Sequence, residues 1–215
     1  RKTINKSIKS TRLLNIHAQR IRNYMSTKYY YKRRLPHFNS PDLIQFVTFR
    51  LGDSIPKKAL VELQRNRQLL ENNQVRILEK YDSLGIGQCY LRYHDVACYL
   101  LNCILMGREY FHLFAFVIMP NHVHLLLQTK HSEKSIGYLV GTWKRMSAKY
   151  INNLFVTDGP IWMREFYDHF LREDDSMSSF VDYIENNPVT ASLVTEKCLW
   201  EYSSANPKWK NYLDY

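Results

Sequence analysis

The stretch Val117-Ile-Met-Pro-Asn-His-Val-His-Leu-Leu-Leu-Gln128 decides the fold of this chain. Pro120-Asn121 has the chemistry of a tight turn and lies between two apolar runs, which predicts a hairpin of strands His112–Met119 and His122–Thr129. Side chains alternate between the faces of a strand, so His122 and His124 project from one face and Val123 from the other. Leu125–Leu127 continues without a polar residue, as expected of a central, buried strand. Polar rings at the entrance of such a strand need a reason to be there. A lone His is ordinarily hydrogen-bonded to backbone or water, but two neutral imidazoles side by side form half of a metal site. Nothing nearby in sequence supplies a second such pair, so a third ligand has to come from elsewhere in the fold.

Working outward, Leu43–Leu51 is rich in β-branched and aromatic residues and reads as a first strand. Pro56 opens a helix carrying Leu60, Leu63, Leu69 and Leu70 that ends near Asn73. Gly85 and Gly87 mark a loop, and Asp95 to Arg108 is an apolar helix. After the hairpin, a helix from Ser135 to Leu154 carries Ile136, Leu139, Trp143, Met146 and Tyr150 inward. The aromatic segment Ile161–Arg172 contains a fourth strand. Asp174 or Asp175 caps a last helix that runs to Asn187, where Pro188 stops it. The order strand, helix, hairpin, helix, strand, helix predicts an α+β class: a ferredoxin-like, split βαβ antiparallel sheet with helices on one face. Residues 74–108 elaborate the first crossover. The first and third strands are central in that topology, which puts the His pair at the middle of the sheet, on a face that a later helix could cover.

The composition narrows the class. The chain has 215 residues, 45% of them hydrophobic, enough for one domain with extensions. Its longest apolar runs, Ala97–Leu101 and Leu113–Met119, are too short to span a bilayer, and the polar start reads as no signal peptide. Cys89, Cys98, Cys103 and Cys198 show no CxxC spacing and read as reduced cysteines of a cytosolic protein. The net charge of +10 is unevenly spread: residues 1–41 hold eleven Lys/Arg and no acid, whereas 42–215 hold 19 Lys/Arg against 20 Asp/Glu. The basic excess is therefore an arm suited to phosphate, not a property of the domain. The expected layout is a basic N-terminal arm, 1–41, a catalytic domain, 42–190, and a C-terminal extension, 191–215. The first methionine is Met25, which sets the expectation that the natural product starts there.

In Asp182-Tyr-Ile-Glu-Asn-Asn-Pro188, Tyr183 and Asn187 are four apart and share one helix face. As the last helical residue, Asn187 would have a side-chain oxygen free to act as a hard ligand. Tyr183, one turn earlier, presents a phenol.

The motif MPNHVHLLL followed by Tyr-Ile-x-x-Asn-Pro-Val resembles the HUH single-tyrosine transposases, and more specifically the REP-associated tyrosine transposases of bacteria. Further blocks fit in order: Arg34-Leu-Pro-His-Phe38, Val47-Thr-Phe-Arg-Leu51 with Ser54-Ile-Pro56, Gly87-Gln-Cys89, Thr142-Trp-Lys144, Trp162-x-Arg-Glu-Phe-Tyr-Asp168 and Trp200-x-x-Ser-Ser-Ala205. The resemblance implies an HUH endonuclease fold in which His122, His124 and Asn187 hold Mg²⁺ or Mn²⁺. Tyr183 would be the nucleophile on single-stranded DNA, leaving a 5′-phosphotyrosine and a free 3′-hydroxyl. The implied function is a metal-dependent endonuclease and strand transferase on palindromic repeat hairpins with a short 5′ guide sequence, hence DNA transposition and recombination. A tyrosine phenol ordinarily gives up its proton only near pH ~10, so it needs help near neutrality; a metal or a spatially close His would provide it. Candidate DNA contacts are Arg34, Arg50, Lys144, Arg145, Arg164 and Arg172, with His37, Phe38, Trp162 and Tyr167 as rings. The implied protein is cytoplasmic, nucleoid-associated and a monomer rather than a dimer. Three positions depart from the pattern: Thr190 and Ser192 stand where a cation and a glycine are frequent, and His169 where Arg is common. A self-mobile insertion-sequence transposase and a catalytically silent hairpin-binding protein are the alternatives.

Overall fold

A computed structural model describes residues 30–32, 36–38, 41, 43–65, 81–82, 84–130, 134–172 and 175–214. Short strands β1 (Tyr30–Lys32) and β2 (Pro36–Phe38) pair with each other. The main sheet contains β3 (Ile44–Arg50), β4 (Phe111–Ile118), β5 (His122–Thr129) and β6 (Tyr167–Phe170) in the order β4-β5-β3-β6, antiparallel throughout. Among the described residues, the longer α-helices are α1 (Lys57–Arg65), α2 (His94–Met106), α3 (Ile136–Phe155) and α4 (Met177–Thr190). This is the α+β, ferredoxin-like arrangement, with the first and third strands of the sheet at its centre. The predicted end of α1, beyond Arg65, and most of the basic arm, with Met25 and Arg34, lie outside the described residues.

Strand alternation divides the core in two. Val47, Phe49, Leu51, Val123, Leu125 and Leu127 face α2 and α3, where Val96, Leu100, Ile104, Leu139, Val140 and Trp143 meet them. Phe46, Val117 and Leu126 face the other way, onto Ile184 of α4. The helices therefore do not all lie on one face, contrary to the expectation from the order of elements. The two crossover helices cover one side, and α4, which follows the last strand, folds back over the other because Phe46, Val117 and Leu126 leave that side apolar too. A bulge between Leu113 and Ala115 shifts the alternation of β4, so that Phe111, Leu113, Phe116 and Ile118 all reach the α2–α3 side.

Helix α3 starts where expected: Ser135 caps it by accepting a hydrogen bond from the Tyr138 amide at 3.2 Å. Helix α4 departs twice from expectation. Its cap is Ser176, because Asp175 is turned back to accept from the Arg172 amide at 2.7 Å. It also runs through Pro188 to Thr190. Proline costs a helix one hydrogen bond and crowds the preceding turn, but Pro188 and Ile184 are both buried, and the turn beyond is closed by Ala191 N to Asn187 O at 2.9 Å and Leu193 N to Pro188 O at 2.9 Å. Ser192 follows at φ 56°, in the left-handed region that favours glycine.

The segment after α4 continues the sheet. Ile118 N donates to Tyr202 O, Ser204 N to Phe116 O and Asp214 N to Leu113 O, each at 2.9 Å, while the Trp200 indole donates to Ile118 O at 3.0 Å. The open edge of β4 is thereby covered along its length. Glu185, buried on α4, ties the same segment down by accepting from Lys197 Nζ at 2.9 Å and from Ser204 Oγ at 3.0 Å.

Candidate metal and nucleophile site

Both histidines project toward α4, because Val123 between them packs on the opposite core. Register places Thr48 of β3 and Val117 of β4 on either side of His124, and Arg50 opposite His122. Each imidazole is held from behind. The Asn121 side chain donates to Ile86 O at 3.2 Å, which turns its carbonyl oxygen to His122 Nδ1 at 2.7 Å. His122 Nδ1 is therefore the protonated nitrogen, and Nε2 keeps its lone pair. His124 Nδ1 lies 2.7 Å from Thr48 Oγ1, which allows the same tautomer. The two Nε2 atoms are buried and have no hydrogen-bond partner. Such orphans are rare in a folded core. Two open imidazole nitrogens, each with its opposite nitrogen hydrogen-bonded, fit a divalent cation by donor chemistry and by orientation.

Protonation agrees with that. Burial pushes His122 down to about 4; the Asp82 carboxylate and the Asn187 side chain oppose the shift, and Arg50 adds to it. Burial also holds His124 well below its usual value, with His122 and Arg50 in support. Both rings are neutral at pH 7, as metal ligands must be. In the unfolded chain each takes a proton near pH ~6.5, whereas the fold resists it. The stability involved is thus complete above about pH 6.5 and lost as pH falls toward the folded value near 4. Without metal, the thermal midpoint is expected to fall steadily between about pH 6.5 and about 4.5. A flat profile across that window would contradict the neutral pair.

Tyr183 comes to the same place from α4. Its ring lies 5.6 Å from that of His124 and 5.8 Å from that of Phe46, and the residue is 40% exposed. A phenol between a buried imidazole and solvent is placed to meet a ligand that arrives from outside. Asn187, one turn on, is not the free last residue that the sequence suggests. Its amide nitrogen donates to Tyr183 O at 3.0 Å, because the helix continues beyond it. Its side chain still interacts with His122, although Nε2 makes no well-formed hydrogen bond. His122, His124, Tyr183 and Asn187 thus lie within one small region.

Asp82 carries no signal in the sequence. Among the described residues, one oxygen of Asp82 and one nitrogen of each histidine lie within 4.8 Å of one another. Forty residues separate Asp82 from His122, and no motif links them. Two of the expected DNA contacts have other duties. Arg50 is buried and forms a bidentate pair with Asp82, with both hydrogen bonds at 2.7 Å, because its place opposite His122 turns it to the face that carries the His pair. The Lys144 ammonium donates to the Met163 and Glu165 carbonyls, each at 3.0 Å, and to Arg164 O at 3.5 Å, so it pins the loop before β6. Trp162 is core, against Phe49, with its indole on Ser147. Arg145, Arg164 and Arg172 are exposed.

Residues 98–187 match the protein family described as Transposase IS200 like. Over 103 residues the chain is 32% identical to a Haemophilus influenzae protein named as a REP-associated tyrosine transposase, a stretch that is 44% of this chain and 58% of that one. The chain thus spans little more than half the length of that relative. An uncharacterized H. influenzae protein is 25% identical over 124 residues, 46% of this chain and 68% of that one. A solved REP-associated tyrosine transposase bound to a REP hairpin superposes with a TM-score of 0.49 at 18% identity, over 81% of each chain.

Proposed function

We propose, for a chain that is a relative of the REP-associated tyrosine transposases, that it cuts and rejoins single-stranded DNA at palindromic repeat hairpins. The observation that carries this reading is the pair of buried, unpartnered Nε2 atoms on β5 with the Tyr183 ring against His124. His122 and His124 would hold the metal, with Asn187 beside them. Bound Mg²⁺ or Mn²⁺ would supply Lewis-acid polarisation of the scissile phosphate and neutralise the charge that grows on it.

The chain's own part is nucleophile, placement and exclusion of competing groups. Tyr183 Oη forms the new bond to phosphorus, the bond from phosphorus to the 3′ oxygen breaks, and the departing oxygen takes a proton to become a 3′-hydroxyl. The phenolic proton leaves toward solvent, to which the residue is open. The 5′-phosphotyrosine conserves the bond energy, so a 3′-hydroxyl can reseal the strand in the reverse step. Asn121 holds His122 in one tautomer and Thr48 anchors the His124 ring, so neither ring has to reorient during the reaction. Arg145, Arg164 and Arg172 are proposed phosphate contacts on the surface. Arg34 is proposed with them from its position in the matched motif alone.

The working unit is proposed to be a monomer in the bacterial cytoplasm, near the nucleoid. The β4 edge, where a second sheet could add, is already covered by residues 200–214. Among the described residues, no helix is long and apolar enough to cross a membrane. Sedimentation of this 215-residue chain should give one species near 25.8 kDa; a stable dimer would count against the monomer. The functional test is cleavage of a single-stranded hairpin oligonucleotide in Mn²⁺, read as a covalent adduct on a denaturing gel.

A further inference from the structure

The Arg50–Asp82 pair has no part in the proposed reaction, yet it lies directly behind the His pair. Side chains of Arg50 and Asp82 are 7% and 4% exposed, and the carboxylate accepts from Nε and Nη2 at 2.7 Å each. Asp82 Oδ1 is also 3.9 Å from His122 Nδ1, the nitrogen that Asn121 holds. Burying two charges costs several kcal/mol per ion before their attraction repays it, so such pairs are weak devices for stability. The position of this pair against a ligand imidazole asks for another explanation.

We infer that Asp82 is a positioning residue for the metal centre, and that Arg50 holds it in place. This rests on the metal reading of His122 and His124. The carboxylate lies on the Nδ1 side of His122, 3.9 Å from that nitrogen. There it favours a proton on Nδ1 and makes Nε2 a better donor. Arg50 is the counterweight: its fork fixes both carboxylate oxygens and keeps the charge from drifting onto the metal as a direct ligand. Both oxygens of Asp82 are engaged by Arg50, so a supporting role fits the geometry better than direct coordination.

The experiment measures Mn²⁺ affinity by calorimetry, in the absence of DNA, for wild type, His124→Ala, Asp82→Asn and the double variant Arg50→Met with Asp82→Leu. The double variant replaces the pair with apolar groups of similar size, an exchange that is often neutral or stabilising, so it is expected to melt within a few degrees of wild type. Its Mn²⁺ affinity should nonetheless fall about 10–100-fold, as losses of outer partners do. Asp82→Asn should fall within the same range, and it keeps the test alive if the double variant does not fold. Wild-type affinity in a folded double variant, or in Asp82→Asn, would make the pair purely structural and overturn the inference. A loss in Asp82→Asn as complete as that in His124→Ala would make Asp82 a direct ligand, which also overturns it. If wild type binds no Mn²⁺, the metal reading fails and this inference fails with it; if wild type binds and the pair variants bind equally, only the inference fails.

Discussion

Tyr183→Phe is expected to leave no covalent protein–DNA adduct and to reduce hairpin cleavage by at least about 1000-fold, since removal of a covalent nucleophile leaves only binding and electrostatics. The change removes one oxygen atom. The ring keeps its contacts with Phe46 at 5.8 Å and His124 at 5.6 Å, and the residue is 40% exposed, so the thermal midpoint should move by only a degree or two. Hairpin affinity should stay within about twofold, because one exposed hydroxyl contributes little to a surface built on phosphate contacts. The adduct is resolved on a denaturing gel with labelled oligonucleotide and Mn²⁺. Persistence of the adduct in the variant would move the nucleophile to another residue. No adduct with wild type on any repeat hairpin would favour the silent binding protein instead.

The second large effect belongs to His124→Ala. This variant should lose cleavage and bind Mn²⁺ about 100-fold or more weakly, while holding the hairpin in EDTA as wild type does. The reason is the division of labour within one ring. Nε2 is the orphan that faces the proposed metal, and Nδ1 is the anchor on Thr48. Removal of the ring also leaves the Thr48 hydroxyl, on a residue only 1% exposed, without its partner and opens a cavity beneath α4. The fold should therefore lose on the order of 2–4 kcal/mol, visible as a lower melting temperature. Binding and cleavage have to be compared below that temperature. If hairpin binding is lost along with cleavage in a variant that is still folded, His124 serves the DNA surface rather than a metal.

How much of this is legible in the sequence differs from element to element. Strand β5 is legible residue by residue, since the turn at Pro120-Asn121 and the run to Leu127 set both its register and its burial. Helix α3 is legible from Ser135, whose side chain performs the local capping it predicts. The end of α4 is not. Local rules stop a helix before proline, but the burial of Ile184 and Pro188 under the sheet carries it one turn further. The bulge in β4 leaves no trace in an apolar strand, where either face can be buried. Arg50 and Lys144 read as surface cations because basic residues usually are. Only the register of β3 and the loop at 163–165 show them committed to Asp82 and to backbone carbonyls.

By itself, the sequence determined the order of the main-sheet strands and the helices between them, the shared face of His122 and His124, and the presence of Tyr183 and Asn187 on one helix. Each of these follows from periods of two and 3.6 residues acting over short distances. Only the tertiary structure decided which face α4 covers, which nitrogen of each imidazole stays open, and that Asp82 lies behind them. Those outcomes depend on contacts between segments far apart in sequence, made when α4 and the segment holding Asp82 pack against the buried sheet, and no local period encodes them.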